Sequence, residues 1–522
     1  MKTKTTLLLS VALSMFLNVQ AQIYMFQKTY GGTGTEYCYS TQPTSDGGYI
    51  MAGETDSYGA GSFDGYLIKT DSTGVITWSK TYGGLGWDWL NNVQQTSDGG
   101  YIVTGGTESS GNGQGDIWII KTDASGTIQW QKTVGGADYD NGYDVRQTSD
   151  SGFIVCGHQY GDAVSTDNAC LIKTSASGTV QWIKTYTAGY DEYAYTVEQT
   201  ADGGYIIGGE SYQNPGDVAL IIKTDATGTV QWAKTYGGGN DCWVSRIIKD
   251  AGGNYFVAGT VSQPTYLNIW LARLDNTGTP VWSNAYAGPG ALEDNCIWAT
   301  RTSDGGFALC GATESFTSDY ECFLLKTDST GGPEWTKRYG GNSNDNSNQV
   351  MQTADGGYII GSNTLSFGSG ASIYLIKTDG SGGSTCNENI PAFLMTPLTT
   401  QVSAVTINDS TVNNSSTSAL AAAVQTVTEN ILCLTVGTEE LTIENNISIY
   451  PNPAKDKFAI GNWQWAIQSI ELFDVTGRKV YAQPQTSNLK LQTIDISTLT
   501  NGMYFVRVRT ETGEVIRKLV KE

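Results

Sequence analysis

Six carboxylates recur at one place in a repeated chain. Glu36, Asp88, Asp140, Glu192, Asp294 and Asp345 each stand ten residues before the aspartate of a short Asp-Gly-Gly-type turn, and Asn240 fills that place in the remaining copy. Carboxylates gathered in a ring could hold a hard cation such as Ca2+. A facing pair could act as acid and base on a sugar. Aromatic side chains accompany them: Trp87, Trp89 and Tyr139 beside Asp88 and Asp140, with Tyr37, Tyr190, Tyr193 and Trp243 in other copies. An acidic, aromatic-rimmed funnel of this kind suits a cation or a carbohydrate. The competing account is that each acid accepts backbone N–H groups within its own loop, as turn carboxylates do. A residue repeated in nearly every copy points to a per-copy structural task. Function is then expected where the copies differ, in long loops such as Glu108–Gly115, His158–Ala169 and Glu210–Asp217.

Other chemistry finds little support, and the chain is not expected to be an enzyme. His158 is the only histidine, placed by the pattern in a surface loop, which disfavours His-rich metal sites and most nucleophilic triads. No phosphate-binding glycine loop or dinucleotide fingerprint is present. Gly83–Asp88 fits the calcium repeat GGxGxD, but the nine-residue period that builds such cages is missing. No cofactor is expected, Ca2+ being the one ion an acidic funnel would take. Of nine cysteines, Cys386 and Cys433 bracket a Thr/Ser/Asn-rich segment and are the best pair for a disulfide. Cys38, Cys242 and Cys296 lie eight residues before their turn aspartates, where other copies have Leu90, Gly142, Ala194 and Ser347. That reads as a tight core position.

The elements that must position these residues are legible from the period. The turn aspartates Asp46, Asp98, Asp150, Asp202, Asp250, Asp304 and Asp355 are spaced 52, 52, 52, 48, 54 and 51 residues apart, which suits a four-stranded propeller blade. In the second copy the strands fall at Trp89–Thr96, Tyr101–Thr107, Asp116–Thr122 and Thr127–Val134, separated by Gly/Asp/Ser turns. A final-strand aromatic occurs six times, at Trp78, Trp130, Trp182, Trp232, Trp282 and Trp335. The seventh equivalent, Phe26 in a Phe-Gln-Lys-Thr-Tyr-Gly-Gly stretch, precedes the first full copy. The fold class is therefore all-β, a seven-bladed β-propeller over residues 22–383 closed by the N-terminal strand, then a small C-terminal β-sandwich. If the repeated tryptophan is buried in each seam, truncating Trp130 should cost ~3–5 kcal/mol.

Residues 1–21 have a basic start, an apolar run and a small-residue end, the pattern of a secretory signal peptide. No other segment is apolar enough for a transmembrane span. Net charge is −21; residues 446–522 carry 10 Lys/Arg against 7 Asp/Glu, and the rest 20 against 44. So acidic a body does not suit nucleic acid. Residues 384–440 read as a loosely structured connector, poor in core-forming side chains. Residues 441–522 alternate apolar and polar positions between tight turns, as a small sandwich does.

Two resemblances add to this. The KTDxxGxxxWxKxYGG pattern resembles tryptophan-docked repeats of bacterial β-propellers, and more loosely pyrroloquinoline-quinone dehydrogenase blades, which differ by one residue between Asp and Trp; only the fold is carried over. The terminal region resembles the C-terminal sorting domain of type IX secretion cargo. The matching motifs are Tyr450-Pro451-Asn452-Pro453, the turn with Gly477 and Arg478, the strand with Gly502 and Tyr504, and the basic end with Lys518 and Lys521. That resemblance implies export across a Bacteroidetes outer membrane, recognition by the secretion translocon, and release or lipopolysaccharide attachment after the domain is removed. Together these readings give a secreted or cell-surface binding or adhesion protein with a surface glycan as one candidate ligand. A carbohydrate-active hydrolase or lyase using funnel carboxylates, and a purely structural surface protein, are the alternatives.

Overall fold

The computed structural model describes residues 23–521, except 162–165, 214–215, 238–240, 251, 264–265, 291, 369, 385, 399, 413–420, 426–427, 438–446, 451–453, 463–466, 475–477, 485–490 and 511–513. The expected signal peptide lies outside the described residues. Regular structure among those described is entirely β-strand. None of it is a helix long and apolar enough to cross a membrane. The chain divides into two compact units, up to Val436 and from Gly437 onward.

The repeats of the first unit form antiparallel sheets in a propeller-like arrangement, one four-strand meander per repeat. The first sheet contains Glu36–Pro43, Tyr49–Thr55, Asp64–Thr70 and Ile76–Gly83. The second contains Asp88–Gln95, Tyr101–Thr107, Asp116–Thr122 and Ile128–Val134. The third to seventh begin at Asn141–Gln147, Asp191–Gln199, Cys242–Lys249, Asp294–Arg301 and Asp345–Gln352. Middle strands such as Tyr101–Thr107 are buried along their whole length. Valine, isoleucine and alternating small residues pack there against both neighbours.

The two repeated sequence marks turn out to be partners. In the first sheet Asp46 Oδ1 accepts from Gly48 N and Thr44 Oγ1, closing the turn, and Lys69 Nζ donates to the same carboxylate. The Lys–Asp pairs span 2.8–2.9 Å in six sheets, and Arg273–Asp250 spans 3.4 Å in the fifth. Each lysine also donates to the carbonyl of the next residue, as Lys69 does to Thr70. Burial opposes ionisation of Asp46, yet the hydrogen bonds from Lys69 and Thr44 outweigh it and hold the carboxyl at about 2.

Each final strand docks on the next sheet's Asp-x-x-Gly turn. Tyr82, Tyr186, Tyr236, Tyr286 and Tyr339 donate their hydroxyls to Gly126, Gly228, Gly278, Gly331 and Gly382 at 2.6–2.8 Å. The tryptophan four residues earlier covers the same glycine: a Cβ on Gly178, whose φ is +78°, would lie 2.5 Å from Trp130. In the second sheet Val134 replaces the tyrosine, and Trp130 Nε1 instead donates to Ala176 O at 3.1 Å. The tryptophans are half-buried rather than buried. The seam assignment therefore holds with a smaller energy than full burial would give.

Ile23–Gly31 pairs antiparallel with Ser372–Thr378 of the seventh sheet. Its Tyr30 donates to Gly74 O of the first sheet at 2.6 Å. The first strands of these two sheets also touch: Ser40 Oγ donates to Gln349 Oε1 at 2.7 Å and Asn348 Nδ2 to Cys38 O at 2.6 Å.

The segment expected to be a loose connector is instead a belt. Glu388–Asn389, Leu394–Pro397, Gln401–Ala404 and Asn408–Thr411 pair in turn with the outer strands of the sixth, fifth, fourth and third sheets. Ala421–Val424 pairs with the first sheet, and Thr428–Gly437 lies beside Ile23–Gly31 in the seventh. Leu398, Val405 and Val412, seven residues apart, each donate a backbone N–H to an outer strand, at Ser283, Ala233 and Ile183. Short Thr/Ser/Val segments suffice because the sheets already supply the core, and the belt satisfies edge groups that would otherwise template aggregation. Cys386 and Cys433 form the expected disulfide, joining the belt's beginning to its last strand.

In the second unit Ile447–Tyr450, Lys457–Asn462 and Leu491–Asp495 form one sheet. Ile467–Asp474, Lys479–Pro484, Gly502–Thr510 and Glu514–Lys521 form another. Phe458, Ile460, Leu472, Val506, Val508 and Leu519 are buried in a common core.

Candidate functional site

The six repeated acids do not line a funnel. All are buried, with at most 1% of their surface exposed, and each accepts a backbone N–H from its own entry loop. The donors are Gly32 to Glu36, Gly84 to Asp88, Gly136 to Asp140, Tyr190 to Glu192, Gly288 to Asp294 and Gly341 to Asp345, at 2.6–3.3 Å. A hydroxyl from the loop between the second and third strands adds to several, as Ser109 Oγ does to Asp88 and Ser366 Oγ to Asp345. These carboxylates tie two loops together in each sheet. Burial pushes Asp140 up to about 7, opposed by its bonds from Gly136 and Tyr160. The fifth sheet corrects the phase. Tyr255 follows Asp250 by five residues, where Tyr49 follows Asp46 by three. The pairing Cys242↔Val261 then replaces Glu36↔Thr55. Cys242, not Asn240, occupies the acid's place, and an apolar pair substitutes for the acid–hydroxyl pair. Cys38 and Cys296 are core residues as expected, but their equivalent in the fifth sheet is Val244.

The side chains that do converge come from a β-bulge three residues after each acid. The register slips in all seven first strands, at Tyr39, Asn91, Tyr143, Tyr195, Ser245, Ile297 and Asn348. A bulge re-aims one side chain, and all seven line a single cavity of about 730 Å³. Two flanking positions frame it, of which Trp243, Asn295, Asn346, Glu210, Ala312 and Asn363 line the cavity. One is the residue after the acid: Tyr37, Trp89, Asn141, Tyr193, Trp243, Asn295 and Asn346. The other is its partner on the second strand: Glu54, Gly106, His158, Glu210, Thr260, Ala312 and Asn363. At these three positions the sheets differ, while the acid on the first strand and the glycine just before the second-strand position each recur in six sheets of seven. The bulge residues were missed in the sequence because a strand's period of two gives no warning of a slip. Their signal was an unrepeated position inside a strict repeat.

The expected aromatics divide. Trp87 and Tyr139 are each 43% exposed, whereas Trp89 is buried beneath Tyr139, its ring stacked at 5.6 Å. They belong to a continuous arc across four sheets. Tyr39 meets Tyr37, then Phe63, Trp87, Trp89, Tyr139, His158 and Tyr193, with centroids 4.9–6.5 Å apart. His158 is not a surface loop residue. It sits buried in strand Phe153–Gly161 among tyrosines, and burial lowers it to about 4, so it is neutral.

Of the two carboxylates at these positions, Glu210 lines the cavity and Glu54 is held by Tyr39, which lines it. Tyr39 OH donates to Glu54 Oε1 at 2.8 Å, and Trp87 Nε1 to Glu54 Oε2 at 2.7 Å. Tyr195 OH donates to Glu210 Oε1 in the same way. Burial raises both carboxyls, Glu210 to about 7 with help from Asp217 and Asp241. Among the described residues no lysine or arginine lines the cavity. Next to it, Arg246 lies 4.7 Å from the Trp298 ring, paired with Asp144 and Glu198, as is Arg146, so this group carries no net charge. The amides of the seventh and second sheets are anchored at one end: Asn348 and Asn91 by their Nδ2 groups, Asn363 through Oδ1, which accepts from Cys38 N. The opposite end of each amide is thereby oriented.

The loop Glu108–Gly115 is less singular than its sequence suggests. Ser109 bonds Gly86 N, and Asn112 N bonds Asp116; Ser57 bonds Gly34 N and Ala60 N bonds Asp64 in the first sheet. The loop is mainly a brace between neighbouring entries. Among the described residues no group of three or more His, Cys, Asp or Glu is arranged to hold a metal.

The sorting-motif residues are divided between the scaffold and the surface of the second unit. Tyr504 is buried and donates to Thr500 O at 2.6 Å, and Lys521 is buried and donates to Lys455 O at 2.9 Å. Gly502, with φ at +154°, begins the strand that carries Tyr504. Arg478 is exposed, held at its turn by Asp474. Tyr450 ends strand Ile447–Tyr450 and Lys518 lies in Glu514–Lys521. Pro451, Asn452, Pro453 and Gly477 lie outside the described residues.

Residues 448–522 match the family model of the secretion system C-terminal sorting domain. This type IX secretion sorting domain indicates a protein that is secreted or held at the cell surface. No curated protein matches the chain. Among solved structures it is similar to the extracellular domain of BT4673 from B. thetaiotaomicron, at 10% identity and a TM-score of 0.39. That match covers 96% of this chain and 58% of the other, so the chain spans well under two thirds of that protein's length. It is also similar to Sqt1 from Chaetomium thermophilum, at 9% identity and a TM-score of 0.42, covering 69% of this chain and 100% of that one.

Proposed function

We propose that this secreted or cell-surface protein is a binding or adhesion protein whose ligand enters the cavity framed by the bulged first strands. Its first unit is a seven-bladed propeller closed by Ile23–Gly31. Support for closure comes from Tyr30, which makes with Gly74 the same contact that the other final-strand tyrosines make with the next sheet. The observation that carries the binding role is the local loss of symmetry. The buried acids repeat in six sheets of seven, while the cavity-facing residues beside them change from sheet to sheet. Scaffold positions repeat because each sheet needs them; a ligand-facing set is free to differ. The sorting domain would be read by the type IX translocon before release or surface attachment. Glycan-array binding by the full chain tests the binding role. Tyr195→Ala and Trp243→Ala should each weaken it about tenfold or more, and Asp88→Asn should leave it intact. Retention in both cavity variants would refute the cavity as the site.

A hydrolytic reading has one observation in its favour: Glu210, a cavity carboxyl at about 7, is suited to general-acid work near neutral pH. Release of reducing ends, lost in Glu210→Gln, would establish turnover.

A further inference from the structure

The three variable positions carry the same residues in only two sheets. The first has Tyr37, Tyr39 and Glu54; the fourth has Tyr193, Tyr195 and Glu210. The local geometry is repeated as well. In each, the two tyrosine rings stack with centroids 6.2 Å apart and interplanar angles of 16° and 9°, and the bulge tyrosine donates its hydroxyl to the glutamate. The intervening sheets join them with aromatic rings, whereas the seventh supplies amides and the sixth Asn295 beside Ile297 and Trp298.

We propose that these two triads are equivalent stations for one linear, uncharged oligosaccharide lying across the cavity. This rests on the cavity being the ligand site. Two like stations fit a ligand built from like units. In a seven-sheet ring, sheets one and four are three steps apart one way and four the other, so the stations face across the mouth. Tyrosine faces offer the stacking surface that sugar C–H faces take. The oriented amides of Asn91, Asn348 and Asn363 present both donors and acceptors to hydroxyl groups. An acidic polysaccharide is disfavoured, because among the described residues no lysine or arginine lines the cavity while Glu210 and Asp217 do. Engaging two weak stations through one chain raises the local concentration at the second, so affinity should climb steeply once the ligand spans both.

The test is fluorescence titration of the full chain with cello- and chito-oligosaccharides of increasing length, alongside oligogalacturonates of matching length. Long uncharged chains should bind roughly tenfold or more tighter than disaccharides. Tyr39→Ala or Tyr195→Ala should remove that advantage while weak disaccharide binding persists at the other station. Tyr39→Phe and Tyr195→Phe, which keep the rings, should show a milder loss, and serve if an alanine variant does not fold. Equal affinity at every length, or complete loss from one single substitution, would overturn the two-station arrangement and leave the cavity as the site. Tighter binding of oligogalacturonates would overturn the uncharged class. Failure of every saccharide to bind would overturn the two-station proposal, while glycan-array binding sensitive to Tyr195→Ala and Trp243→Ala would still support the cavity.

Discussion

Glu210→Gln should make the protein more stable at alkaline pH and leave it unchanged at mildly acidic pH. Burial raises the Glu210 carboxyl from 4.5 to about 7, so the folded state prefers it protonated. For an acid shifted upward, the favourable contribution is complete below the unfolded value, near 4.5, and is lost as pH rises through about 7. The gap is worth about 3 kcal/mol at most, at 1.36 kcal/mol for each pH unit. Glutamine imitates the protonated acid, and its side-chain oxygen still accepts the Tyr195 hydroxyl. For a unit of about four hundred residues, 3 kcal/mol corresponds to roughly 3–4 °C in the melting midpoint. Wild-type and variant midpoints should therefore coincide at pH 5 and separate by a few degrees at pH 8.5, the variant melting higher. Asp140 titrates in the same window, so the comparison must be the difference between proteins at each pH. A variant less stable than wild type at both values, or shifted equally at both, would refute the buried, proton-preferring carboxyl.

Two further outcomes follow from the scaffold. Cys386→Ser should cost about 2–4 kcal/mol, since the bond closes a loop with a sequence separation of 47; denaturant midpoints with and without reductant should match this only in the wild type. Trp130→Ala should cost about 2 kcal/mol by denaturant titration, below the value for a fully buried ring because Trp130 is half-exposed. A loss near zero would remove it from the docking interface.

Much of the scaffold was legible because its signals are local. Asp98 closes its own turn and meets Lys121 in the adjacent strand, so one residue pattern encodes both partners. The equivalence of Phe26 with the repeated tryptophans likewise exposed the displaced N-terminal strand. The belt was not legible as structure. Its strands are short, Thr/Ser-rich and without a hydrophobic face of their own, and they become β only by pairing with edges supplied from distant residues, as Ala421 does with Gly83. The seven-residue spacing of Leu398, Val405 and Val412 was its one trace. The site failed for a related reason. Asp88 and its equivalents allowed two accounts, a ring of ligands or a carboxylate holding each sheet's own loop, and their burial against donors such as Gly84 N fits the second, which their repetition itself favoured. Tyr39, Asn91 and Tyr195 looked ordinary because the bulge that aims them leaves no pattern in a single strand.

The belt also bears on when this protein can finish folding. Ile23–Gly31 is synthesised first, and Thr428–Gly437, which lies beside it, emerges last in the same unit. The seventh sheet therefore stays incomplete until the whole unit has been made, and contacts of such long separation form slowly. Cys433 lies on that last strand, so its bond to Cys386 fastens the belt's far end beside its beginning, at the sheet that is completed last.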